Sequence, residues 1–95
     1  MEKREINATE WLLAFNINQG IEVTGAQRVL YLSGQTSTTD DGAPMHPGDI
    51  SAQFGLAWEN LKDALAAAEM EPTNIVRLNI YTTDAQGFMA AAGEL

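Results

Sequence analysis

The chain has no cysteine. A disulfide framework, a thiolate nucleophile and any cysteine-ligated zinc or iron–sulfur site are therefore excluded, and a reducing compartment suits it. Basic residues are scarce: five lysines and arginines stand against thirteen aspartates and glutamates, a formal net charge of −8. The acidic excess is spread over both halves, and Lys3-Arg4 is the only adjacent basic pair. A nucleic-acid partner needs clustered cations to neutralise phosphates, so polyanions are disfavoured and the acidity is read as a source of solubility. Histidine occurs once, as His46 between Met45 and Pro47. No set of His, Asp or Glu ligands surrounds it in sequence, which favours an exposed loop residue over a metal ligand or a general base. Long apolar runs are missing too. The stretch from Trp11 to Phe15 is shorter than the ~7–15 residues of a signal-peptide core, and no other run approaches the ~20 apolar residues of a membrane span. A cytoplasmic protein that does not engage a membrane is expected.

What is present suits one small domain spanning residues 1–95. With 95 residues and 45% hydrophobic content, the chain lies near the lower limit at which one core is stable without metals, disulfides or partner subunits. Residues 1–16 carry no sustained period and are expected to form an irregular arm with a short helical turn around Thr9 to Phe15. From Gly20 the pattern turns to period two. Ile21 and Val23 share a face, Thr24-Gly25-Ala26-Gln27 is turn-prone, and Val29, Tyr31 and Ser33 then alternate with Leu30 and Leu32. That predicts a hairpin whose second strand, apolar on both faces, is covered by another layer or another subunit.

Residues 34–48 are rich in Gly, Thr, Ser, Asp and Pro and read as a loop, with Asp40-Asp41-Gly42 as its turn. Asp49 sits where a helix N-cap belongs. Ile50, Phe54, Trp58, Leu61, Leu65 and Ala68 then recur at intervals of four, four, three, four and three, the spacing of one buried stripe on a long helix. Gly55 interrupts that helix and predicts a close backbone approach, and Pro72 closes the segment. Between Asn74 and Thr82 alternation returns. Val76, Leu78, Ile80 and Thr82 form a face expected to pack under the helix, while Arg77, Asn79 and Tyr81 lie opposite with Ile75. That second face is too polar for a core and suits a subunit interface or a cleft wall, with a solvated sheet face as the plainer alternative. Asp84 is expected to cap a second helix containing Phe88, Ala91, Ala92 and Leu95.

Three segments in this order carry a resemblance. Leu30-Tyr31-Leu32-Ser33-Gly34-Gln35 resembles the strand-ending (V/L)SGQ signature of the RidA/YjgF, or Rid, family, which is also labelled endoribonuclease L-PSP. Gln53 through Ala68, QFGLAWENLKDALAAA, resembles that family's ENLK helix, and Asn74 through Asp84, NIVRLNIYTTD, is similar to its VYLTD strand. The resemblance covers about residues 16–95. It implies an α+β fold like chorismate mutase of the bacterial α+β type, a sheet with two helices on one face. Three copies of such a fold pack into a homotrimer with a barrel-like centre and ligand clefts between subunits.

The same resemblance implies a function: hydrolysis of enamines and imines such as 2-aminoacrylate to 2-keto acids and ammonia, with no metal and no organic cofactor. Such chemistry needs an arginine to hold the substrate carboxylate, polar groups to position the imine and an acid–base group for the attacking water. The carry-over is partial. Ser33, Gly34 and Gln35 match the family's cleft segment. The family's cleft tyrosine falls on Ile17, in Ile17-Asn18-Gln19-Gly20, and an asparagine of its second helix falls on or near Ala92. Its arginine and acid are expected in strands beyond the second helix, which these 95 residues do not contain. A homologue that binds a small carboxylate without catalysis is the alternative. The ribonuclease activity in the family's label is disfavoured by the charge. No nucleophile elbow surrounds Ser33, and Gly20, Gly25, Gly34, Gly42, Gly48 and Gly55 make no phosphate-cradling pattern.

Overall fold

The computed structural model describes residues 1–11, 14 and 18–92. They fall into two compact units, Met1–Tyr31 and Leu32–Leu95, each described by itself.

In the first unit, β1 (Glu2–Ile6) pairs antiparallel with β2 (Gly20–Thr24), with Arg4 opposite Glu22 and Ile6 opposite Gly20. The Arg4 guanidinium meets the Glu22 carboxylate at 2.7 Å, both side chains exposed. An open ion pair of this kind fixes register more than it stabilises, contributing well under about 1 kcal/mol. Beside the pairing, the Asn7 amide donates to Asn18 Oδ1 at 2.9 Å and Asn7 Oδ1 accepts from the Gln19 backbone N–H at 3.0 Å. The Ala8 N–H donates to Gln19 Oε1, completing a polar clasp at the base of the connection. Gly25, at φ +71°, turns the chain out of β2.

This arrangement differs from the sequence expectation. The turn at Gly25 is present, yet β2 takes its ladder from residues 2–6 and not from residues 29–33, which carry no strand pairing. The N-terminal segment carries no period because both its faces are exposed, so alternation had nothing to record. Of the expected helical turn around Thr9 to Phe15, positions 12, 13 and 15 lie outside the described residues.

The second unit is built around α1 (Ile50–Ala67) and α2 (Ala85–Ala91). Asp49 caps α1 as expected, its Oδ1 accepting from the Ala52 N–H at 3.1 Å. Asp84 caps α2, accepting from the Gly87 N–H at 2.9 Å. Such caps satisfy backbone donors that have no partner within the helix. The stop of α1 comes before Pro72. Glu69 adopts φ +59°, its N–H donates to the Ala66 carbonyl at 3.0 Å, and the Met70 N–H donates to the Leu65 carbonyl at 2.8 Å. These two bonds are a Schellman stop, with glutamate where glycine is usual. Pro72–Asn74 then form a single 3-10 turn.

Leu65, the fifth of the six residues of the predicted stripe, is the one buried residue among those described. Phe54, Trp58 and Leu61 are half-buried. Residues 75–82 carry no strand assignment. Alternation selects which side chains share a face but not which backbone supplies the ladder, and no described segment pairs with this one. Gly55 is also corrected: a Cβ there would meet nothing within 4 Å, so no backbone among the described residues approaches it. No described helix is long and apolar enough to cross a membrane.

Candidate functional site

The Ser33-Gly34-Gln35 segment leads into a loop with its own hydrogen-bonded order. Ser33 and Gly34 are exposed and Gln35 is half-buried, its amide donating to the Ser33 carbonyl at 3.3 Å. Downstream, residues 37–45 fold back on themselves as a miniature hairpin, with Thr38 bridged to Pro44. The Met45 N–H donates to the Ser37 carbonyl at 2.9 Å and the Ser37 hydroxyl donates to the Met45 carbonyl at 2.8 Å. At the tip, the Thr39 N–H donates to the Ala43 carbonyl at 2.9 Å and the Ala43 N–H donates to Thr39 Oγ1 at 3.0 Å. Gly42 occupies the left-handed region at φ +88°, as the predicted Asp40-Asp41-Gly42 turn requires.

The Thr39 hydroxyl donates to the Asp41 carboxylate. That bond, together with the backbone N–H of Asp41 itself, holds the Asp41 carboxyl below its ordinary range, because both stabilise the charged form. His46 sits beyond the hairpin at φ +60°, its carbonyl accepting from the Asp49 N–H at 3.2 Å. Among the described residues no three His, Asp or Glu side chains converge as a metal ion would need.

A residue that sequence reasoning passed over holds this loop. Asn60, on a flank of α1 away from the Phe54–Trp58–Leu61 stripe, donates from Nδ2 to the carbonyls of Thr36 at 2.9 Å and Thr38 at 3.0 Å. The hints in sequence are that Asn60 is part of the ENLK signature and that asparagine is a weak helix former inside an otherwise strong helical stretch.

The second predicted set lies on residues 75–82. Arg77 Nε donates to Asn79 Oδ1 at 3.4 Å, so the two share one side of the extended chain as the period-two reading requires. Tyr81 is 89% exposed. The alternate positions Leu78 and Ile80 turn the other way and line an open groove of about 600 Å³ with Phe54, Trp58 and Phe88 of the two helices. Ala92, the position expected to hold the family's asparagine, lies on the same groove. Among the described residues no hydrogen bond or ion pair joins Ser33, Gly34 or Gln35 to Arg77, Asn79 or Tyr81. Ile17 lies outside the described residues.

The sequence profile of the endoribonuclease L-PSP family matches residues 14–93. The chain belongs to that family, the RidA/YjgF family of the resemblance above. The Myxococcus xanthus protein DfrA is 35% identical over 71 residues, covering 75% of this chain and 53% of that protein. The mitochondrial protein MMF1 of Saccharomyces cerevisiae is 33% identical over 63 residues, covering 66% and 43%. The mitochondrial protein mmf2 of Schizosaccharomyces pombe is 31% identical over 90 residues, covering 95% and 68%. The chain thus spans about half the length of the first two of these curated relatives. No solved structure matches it. With two α-helices and a two-stranded antiparallel sheet among the described residues, the architecture is a small α+β fold consistent with the family.

Proposed function

We propose that this chain supplies one wall of a Rid-type ligand cleft, and that the whole protein hydrolyses enamines and imines such as 2-aminoacrylate to a 2-keto acid and ammonia. The observation that carries the reading is the family match over residues 14–93, which contains all three signature segments. Chemically, 2-aminoacrylate tautomerises to an imine, water adds to the imine carbon, and the carbon–nitrogen bond breaks with ammonia leaving. An anionic substrate meeting a chain of net charge −8 needs a local donor set, since the overall field opposes it. The exposed Ser33 hydroxyl and the backbone of Gly34 and Gln35 are our candidates for orienting the ligand. The Arg77–Asn79 pair with Tyr81 is our candidate for the facing wall or the subunit boundary. No metal or organic cofactor takes part in this scheme, and its working state is a homotrimer.

The test is direct. 2-Aminoacrylate is generated in situ and its conversion to pyruvate is followed with and without the whole protein. A rate no faster than the spontaneous reaction would remove the catalytic reading.

A second reading is favoured by a specific observation. By the resemblance, the family's cleft tyrosine falls on Ile17 and its helix asparagine on or near Ala92, both aliphatic. A protein that binds small carboxylates without turning them over accounts for those losses, and saturable binding of pyruvate without hydrolysis would support it. Ribonuclease activity remains disfavoured for want of a basic groove.

A further inference from the structure

We propose that Asn60 is the positioning residue that fixes the Ser33-Gly34-Gln35 segment against α1, a proposal that rests on the cleft reading above. Residues 36–38 form a tight three-residue turn in which the Thr38 N–H donates to the Thr36 carbonyl at 2.9 Å. The Ser37 carbonyl points to the returning chain, where it accepts from the Met45 N–H. The carbonyls on either side of it, Thr36 and Thr38, point the other way and are both taken by the Asn60 amide. Residues 36–38 are thus held from two sides, by the loop itself and by the helix.

The choice of side chain follows from the task. Two carbonyl oxygens facing one position need one group with two N–H bonds and no competing charge, and a carboxamide supplies it. Aspartate would present oxygen to oxygen, and alanine would leave the Thr38 carbonyl to water and the Thr36 carbonyl with only the Thr38 N–H. A weak helix former inside α1 is thereby explained. The clamp acts on the cleft segment through covalent connection. Thr36 follows Gln35 directly, and Ser33 is three peptide units from the clamped carbonyl, within about 11 Å even at full extension. Anchoring Thr36 to α1 therefore restricts where the Ser33 hydroxyl and the Gly34 backbone can lie.

The experiment compares Asn60→Asp and Asn60→Gln with the parent in the full-length protein by amide hydrogen exchange, without ligand, at neutral pH. In Asn60→Asp the amides of Thr39, Gly42 and Met45 are expected to exchange about tenfold faster or more, the loss of two hydrogen bonds of ordinary strength, while amides of α1 from Leu61 to Leu65 stay within about twofold. Asn60→Gln keeps both N–H donors on a longer arm and is expected to restore part of the protection. Pyruvate, the 2-keto acid product, then serves as the probe for the cleft. Its shift perturbations at the Gly34 and Gln35 amides are expected to need several-fold more ligand in Asn60→Asp than in the parent.

Unchanged exchange in Asn60→Asp would overturn the proposal. So would a loosened loop with pyruvate affinity as in the parent, because Asn60 would then hold the loop alone. If the parent itself gives no response to pyruvate, the ligand reading fails separately and the exchange data alone decide whether Asn60 clamps the loop.

Discussion

The rings of Phe54 and Phe88 meet with centroids 6.2 Å apart and planes inclined at 51°. This tilted contact joins α1 to α2 on the floor of the open groove, and both rings are only half-buried. A fully buried phenylalanine costs about 3–5 kcal/mol on truncation to alanine, so a half-open one should cost about 1–2 kcal/mol. Urea unfolding of Phe54→Ala, Phe88→Ala and the double variant is expected to return a coupling of about 0.5–1 kcal/mol. Strict additivity would mean that the two rings do not support one another.

Backbone positions give opposite signs within a few turns of each other. Gly55 is exposed and a Cβ there meets nothing, so Gly55→Ala should stabilise by about 0.5–1 kcal/mol through helix propensity. Glu69 sits at φ +59° in the Schellman stop, so Glu69→Gly should stabilise by about 1 kcal/mol or less. Gly87 differs from Gly55, since an added Cβ would overlap the Asp84 carboxylate. The cap would have to swing away, offsetting the propensity gain with a loss of about 1 kcal/mol, and Gly87→Ala should yield no increase in Tm.

These positions show which parts of the fold were legible in the sequence. Both helices and both caps were, because an N-cap and a stripe at i, i+3, i+4 are local statements that Asp49, Asp84 and Phe54 to Leu65 make within one segment. Pairing was not. Val29 to Ser33 and Val76 to Thr82 show the right period, but period two names no partner, and β2 pairs instead with a charged segment whose only signal is Arg4 meeting Glu22 across eighteen positions. Asn60 was legible as part of the ENLK signature, but its role was not, since its two carbonyl partners lie 24 and 22 residues away. At the candidate site, the period placed Arg77 beside Asn79, while the clamping of the chain after Gln35 to a helix shows only in the fold.

Asp41 gives a pH prediction whose sign is fixed. Its folded carboxyl titrates below the ordinary value because the Thr39 hydroxyl and its own backbone N–H favour the charged form. Loop order from this contact is therefore fully present above the unfolded carboxylate value and is lost as pH falls through the lower folded one. Between pH 5 and pH 8 the Gly42 and Ala43 amide shifts should be insensitive to Asp41, and below about pH 4 they should move. In Thr39→Val the midpoint of that movement should rise. An unchanged midpoint would show that the hydroxyl is not its main cause.

Self-association follows from what is left uncovered. Val29, Tyr31, Val76, Leu78 and Ile80 are all exposed apolar or aromatic residues on segments that alternate like strands yet have no ladder. Small domains that cannot close a core alone gain burial by symmetric association. Light scattering at micromolar concentration is expected to give about three times the 10.3 kDa of the chain. A monomer alone across that range would overturn the homotrimer and with it the assignment of Arg77, Asn79 and Tyr81 to a subunit boundary.

The last prediction concerns activity in these 95 residues taken by themselves. Hydrolysis of an imino acid needs an arginine to hold the carboxylate and an acid–base group for the water, which together supply several kcal/mol of barrier lowering. The resemblance matches neither to a residue here. Arg77 is the one arginine on the extended segment beside the groove, but that segment is not the one that carries the family's clamp, and the Arg77 guanidinium is engaged with Asn79 on the side away from Leu78 and Ile80. The isolated chain is therefore expected to accelerate 2-aminoacrylate hydrolysis little or not at all, while a protein carrying the family's later strands would do so. Assaying the chain and Arg77→Ala side by side decides the point. If the chain were as fast as a full-length Rid enzyme and Arg77→Ala abolished the rate, the clamp would be Arg77, and the catalytic set would have to be rebuilt around Arg77, Ser33 and Tyr81.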